Sequence, residues 1–161
     1  MQNVFDVIKE REKVMEQYYR DLVKKTTNQG IKSILLMIAD EESKHFDHFE
    51  SMKKQIANPE KSTLLVDSRK ILKTLKQNKN ITPINISQLE LYEKIRDEEK
   101  RSEILFKDLA NNENDRELKA IYDQVANEEH RHYLIMDEIC EFIARPNDWI
   151  ESPEFSNLDH Y

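Results

Sequence analysis

Apolar residues recur every three or four positions along four long stretches of this chain, the period of a helix that buries one face. In the first stretch, about 3–27, Phe5, Ile8, Met15, Tyr19 and Leu22 fall on or beside one stripe. The second, about 31–56, turns Ile31, Ile34, Leu35, Ile38, Phe46, Phe49 and Met52 inward, after a break expected at Gly30. The third opens at the motif SQLE, where Ser87 and Glu90 match a capping box, and runs to Ala110. The fourth starts near Asp115, after the polar run NNEND, and carries Leu118, Ile121, Tyr122, Val125, Tyr133, Met136 and Ile139. Pro146 stops it.

The loops between these stretches decide the topology. Turns after the first and third helices are short, whereas residues 57–86 are too many for a tight turn and include a short predicted helix, DSRKILKTLKQN. Two helical hairpins joined by a long crossover follow, which is an all-α four-helix bundle. Residues 1–145 make its one domain, and 146–161 form an irregular tail packed by Trp149 and Phe155.

The two hairpins are copies. Shifting the chain by 87 positions lays Ile8 on Ile95, Glu12 on Glu99, Lys13 on Lys100, Glu16 on Glu103 and YRDLV on FKDLA. Further on, Glu41 meets Glu128, Glu42 meets Glu129, and His45 meets His132. A Glu-x-x-His pair alone is a weak signal, because most helical glutamates are solvated. Here Ile38, Glu42, His45 and Phe49 follow a 4-3-4 spacing, as do Val125, Glu129, His132 and Met136. The polar pair therefore interrupts the apolar stripe and shares its face. Glu12 and Glu99 each lie 30 residues upstream of the motif glutamate.

Four carboxylates and two imidazoles in one core need a partner, since an unpaired buried carboxylate is prohibitively costly. Two divalent cations would cancel the charge of Glu12, Glu42, Glu99 and Glu129, with His45 and His132 completing the donor set. Carboxylate with imidazole suits iron or manganese.

Composition narrows the picture further. A single glycine and four prolines among 161 residues leave few chain-breakers, in keeping with long helices. A formal net charge of −7 argues against nucleic acid as a partner. No apolar run approaches the roughly 20 residues of a membrane span, and MQNVFDVIKE lacks a secretory hydrophobic segment, so a cytoplasmic protein is expected. Cys140, the single cysteine, excludes an intrachain disulfide and a four-cysteine metal ribbon, and reads as a buried small hydrophobe.

The constellation Glu12, Glu42-x-x-His45, Glu99 and Glu129-x-x-His132 resembles the ferritin-like superfamily. Within it, EKVMEQYYRDL and EKRSEILFKDLA are similar to the rubrerythrins, where a ligand glutamate precedes an aromatic residue by seven positions: Glu12 with Tyr19, Glu99 with Phe106. The resemblance spans about residues 4–144 and implies two iron ions held by those six residues. It further implies reduction of hydrogen peroxide, with dioxygen as the competing oxidant, and a homodimer. Typical rubrerythrins add a four-cysteine rubredoxin domain, so electrons here would come from an external donor such as a rubredoxin. The lysine-rich KILKTLKQNK, read as a solvated face, is a candidate docking patch for an acidic donor.

Typical members also place a glutamate three residues after the third-helix ligand. Here that position is Ser102, and Glu103 is the nearest substitute for a redox-linked ligand change. Tyr19 is the one phenol on the pattern, expected to donate a hydrogen bond near the site or to fill core. His48 and His130 are expected exposed or beside the site, and Glu41 and Glu128 on flanking faces. Ferroxidase or iron-handling activity, or a metal-stabilised bundle without catalysis, are the alternatives.

Overall fold

The computed structural model describes residues 4–51, 63–77 and 88–144, and among them every regular element is a helix. The order is α1 Val4–Lys25, α2 Gln29–Ser51, α3 Leu64–Gln77, α4 Leu89–Asn111 and α5 Arg116–Ala144. α1 and α2 form an antiparallel hairpin, tied by Lys9 to Glu50 near one end and by Arg20 to Asp40 further along. α4 and α5 form the second, where Glu103 meets His130 and Arg96 meets Asp137. α1 lies against α4, with Arg11 reaching Glu98 and Ser102. The result is the all-α ferritin-like bundle, with α3 in the crossover.

The helix ends have local causes. Asn28 Oδ1 accepts the Ile31 N–H at 3.1 Å, so α2 begins before Gly30, which was expected to be the break. Gly30 is instead a place of close approach, where a Cβ would lie 2.9 Å from Leu75 Cδ1 on α3. Asp115 Oδ1 accepts the Leu118 N–H and starts α5 where the sequence indicated. α4 starts later than the capping box implied: its cap is Gln88, which makes no side-chain cap bond, and Ser87 lies outside the described residues. Also outside them are Met52, the expected continuation of α2 to residue 56, Pro146 and the tail with Trp149 and Phe155.

Two apolar clusters sandwich the polar mid-bundle. One packs Met15, Tyr19, Ile34, Ile38, Ile135 and Ile139 with Leu72 of α3. The other packs Ile8, Phe49, Phe106, Tyr122 and Val125, with Phe49 stacked on Phe106 at 5.9 Å. α3 buries Leu64, Ser68 and Leu72 while Lys70 and Lys73 stay exposed, and Arg69 fastens it to Glu138 of α5 at 3.1 Å. Phe46 and Tyr133, expected inward, are half-buried. They are repeat mates at the bundle edge, where Lys13 covers the Phe46 ring and Lys100 the Tyr133 ring.

Candidate metal centre

Glu42 and His45 share a face because three residues advance a helix by roughly 300°, nearly a full turn. The flanking Ile38 and Phe49 are fully buried, so the packing of the stripe carries the polar pair inward with them. Glu129 and His132 on α5 are placed the same way, and Glu12 of α1 and Glu99 of α4 close the ring. All six side chains are buried, with His45 the most exposed at 4%.

These residues form two overlapping groups. Glu12, Glu42, His45 and Glu129 bring one donor atom each to within 4.8 Å of one another; Glu42, Glu99, Glu129 and His132 do the same. Glu42 and Glu129 belong to both. His45 Nδ1 stands 3.3 Å from Glu12 and 3.2 Å from Glu129. His132 Nδ1 stands 2.7 Å from Glu42 and 3.4 Å from Glu99. The imidazoles stack across the centre, 6.1 Å between centroids.

The arrangement is polar but poorly hydrogen-bonded. Both carboxylate oxygens of Glu42 and of Glu129, Oε2 of Glu99 and Nδ1 of His132 are buried without a hydrogen-bond partner. Even the 2.7 Å approach of His132 Nδ1 to Glu42 is not aligned as a hydrogen bond. Burial and the charge of Glu12 push the carboxyl of Glu42 well above its ordinary range; burial and Glu99 do the same to Glu129. Burial also opposes charge on Glu99, but His132 and the Tyr19 hydrogen bond hold its carboxyl lower. Both histidines are raised: burial disfavours the imidazolium, yet the surrounding carboxylates favour it more strongly. Orphaned donors and concentrated negative charge are what a pair of divalent cations would relieve, so the residues present fit such a group.

The family model described as Rubrerythrin matches residues 8–140, a span containing both groups. The chain belongs to the rubrerythrin family. No curated protein and no solved structure matches it.

In this rubrerythrin-family chain the other residues singled out from sequence fall into different places. Tyr19 is fully buried and donates to Glu99 Oε1 at 2.6 Å; burial and nearby Glu99 raise its phenol, so it keeps its proton. Its repeat mate Phe106 packs on Phe49 and Tyr122 and has no hydroxyl to offer. Glu103 is buried but belongs to neither donor group: it accepts from Lys100 at 3.1 Å, from His130 at 2.9 Å, and from Lys107. Ser102 accepts from Arg11 Nε at 2.8 Å. His48 is half-buried edge-on to Phe49, with burial lowering its pKa. Cys140 is buried, and burial pushes its thiol up to about 12, which leaves it unreactive.

Two residues set aside in the sequence stand beside the centre. Glu128, expected on a flanking face, is 3% exposed and accepts from His45 Nε2. Glu41 accepts from His132 Nε2 at 2.9 Å. Their coincidence in the repeat was the available signal.

Proposed function

We propose that this rubrerythrin-family chain is a non-haem di-iron oxidoreductase that reduces hydrogen peroxide to water with electrons from an external donor. The observation that carries this reading is the pair of buried donor groups sharing Glu42 and Glu129. Glu12 and His45 would hold one ion, Glu99 and His132 the other, and the two shared carboxylates would hold both. Their charges balance two divalent ions, and the carboxylate–imidazole set suits iron, or manganese. Two ferrous ions held there would supply the two electrons consumed in H2O2 + 2 H+ + 2 e− → 2 H2O.

The chain's own residues hold and shield that site. Tyr19 fixes one Glu99 oxygen, leaving Oε2 without a hydrogen-bond partner. Phe49, Phe106 and Tyr122 put an apolar wall at one end, which excludes bulk water. The one cysteine of these 161 residues cannot supply a four-cysteine electron-transfer centre, and a donor such as a rubredoxin is the proposed source of electrons. No helix among the described residues is long and apolar enough to cross a membrane.

The test is metal analysis of anaerobically purified protein followed by rapid mixing of the diferrous form with peroxide and, separately, dioxygen. Two iron ions per chain, faster oxidation by peroxide, and turnover with reduced rubredoxin are expected. Equally fast oxidation by dioxygen with ferric product accumulating would replace this reading with ferroxidase activity.

A further inference from the structure

The 87-residue repeat gives the bundle two edges that can be compared column by column, α1 against α2 and α4 against α5. On the first, Lys13, Arg20 and Lys44 are balanced by Glu16, Asp40 and Asp47. Their mates on the second are Lys100, Lys107 and Arg131, but Asn127 stands for Asp40 and Leu134 for Asp47. The one acid left in these columns, Glu103, is buried beneath Lys100, Lys107 and His130, whose side chains stay about half exposed. Of the other acids nearby, Asp97 and Asp137 pair with Arg96, and Asp123 lies one turn beyond Asn127. A positive patch thus survives in a chain whose formal net charge is −7. It also has an aromatic centre. Tyr133 stacks on His130 with ring centroids 6.3 Å apart, and Lys100 Nζ lies 5.2 Å from the Tyr133 centroid. The first edge has Phe46 and Ser43 at those positions, so no such ring pair forms there. Tyr133 directly follows His132, whose Nδ1 faces Glu42 and Glu99 in the buried donor group.

We propose that the α4–α5 edge around Lys100, Lys107, His130 and Tyr133 is where the electron donor docks, and that this donor is a small protein with carboxylates ringing its redox group. The proposal rests on the oxidoreductase reading above, which needs an outside source of electrons. Two one-electron donations by the partner replace the two electrons that one peroxide consumes. Opposite charge across an interface steers encounter and fixes orientation more than it adds affinity. Elsewhere the acidic chain repels such a partner, so the positive edge selects the pose that lays the donor's redox group over Tyr133, next to His132. An aromatic residue in the middle of a polar patch is also typical of an interface centre. The lysines of α3, expected from sequence to form the docking patch, are less well placed. α3 lies on the apolar cluster of Ile34, Ile38, Ile135 and Ile139, and a donor over Lys70 and Lys73 would be separated from the centre by that layer.

Zinc-substituted rubredoxin of acidic surface, which binds without transferring electrons, reads docking apart from turnover. It is titrated at low salt into the full chain labelled with 15N, by calorimetry and by mapping amide shifts. Three double variants each lose two positive charges: Lys100→Gln with Lys107→Gln, the repeat mates Lys13→Gln with Arg20→Gln, and Lys70→Gln with Lys73→Gln on α3. Shifts are expected to cluster at residues 100–107 and 127–134, and only the first pair should weaken binding, by roughly tenfold, with the difference fading at high salt. Glu103→Gln disturbs the same contacts but removes a negative charge, so it should bind at least as tightly as wild type. Native reduced rubredoxin should re-reduce the peroxide-oxidised first pair more slowly, while its oxidation by peroxide keeps the wild-type rate. Equal weakening in all three pairs, or weaker binding by Glu103→Gln, would overturn the docking edge. Shifts centred on α3 with weakening confined to its pair would overturn it in favour of that patch. If the first pair fails to fold, the wild-type shift map and Glu103→Gln decide. Wild type that binds no rubredoxin would overturn the docking edge as well; two bound iron ions oxidised by peroxide in that protein would show that the oxidoreductase reading stands without it.

Discussion

Replacing Glu103 with glutamine separates two roles for a buried carboxylate: fastening the hairpin, or serving the metal centre. Glu103 is 1% exposed, and Lys107, His130 and Lys100 hold its carboxyl at about 2 against the ordinary 4.5, despite the opposing effect of burial. At about 1.4 kcal/mol per pH unit this bounds the preference for the charged form at roughly 3 kcal/mol. Those three side chains, Lys107, His130 and Lys100, are 54%, 44% and 45% exposed, so solvent screens much of that attraction. A loss of about 1–2 kcal/mol at pH 7 is expected for Glu103→Gln, or about 2–8 °C in Tm for a domain of this size. Because the folded pKa is depressed, the stabilisation is fully present above 4.5 and is lost as pH falls toward 2. Urea denaturation of metal-free wild type and Glu103→Gln, from pH 7 down to pH 3, should therefore show a gap that narrows below 4.5. High salt should narrow it as well. Equal stability at pH 7, or a gap widening in acid, would refute the fastening role. Loss of bound metal in the variant would move Glu103 into the donor set.

Three other outcomes follow from the buried centre. Glu42→Gln with Glu129→Gln removes two carboxylates whose folded pKa values are raised, so the metal-free variant should melt above metal-free wild type while no longer binding iron. Those two carboxyls and both histidines are all raised, so their stabilising contribution is present at low pH and lost as pH climbs through the folded values. Over pH 5–8 the metal-free protein should lose stability while the gain in Tm on adding Fe(II) anaerobically grows; a gain independent of pH would contradict the shared burial. Tyr19→Phe deletes the 2.6 Å bond to Glu99, a loss of about 1.5–3 kcal/mol for a hydrogen bond to a charged group. Peroxide turnover should fall with two ions still bound, whereas loss of one ion would make Tyr19 essential to holding metal.

Helical period alone determined much of this protein. A residue's azimuth on a helix follows from its number, so the 4-3-4 spacing through Glu42, His45, Glu129 and His132 put those groups on the buried face before any coordinates. The 87-residue repeat matched Glu12 with Glu99, each 30 residues upstream of a motif glutamate, and the long connection between repeats indicated the crossover. What lies about 100° around the helix was not legible. Glu41 and Glu128 sit one residue from the stripe, and only the approach of α2 to α5 turns that flank into a contact with the opposite histidine. Glu16 and Glu103 are repeat mates with different fates: Glu16 pairs with Arg20 and stays half-buried, while Glu103 is enclosed by Lys100, Lys107 and His130. Gly30 read as a break because glycine is a poor helix former, yet Asn28 caps the helix and Leu75 of α3 packs over the glycine. These outcomes depend on which side chains from other helices arrive at a given face, and that is set by the distances and angles between helices, which no residue spacing within a helix encodes.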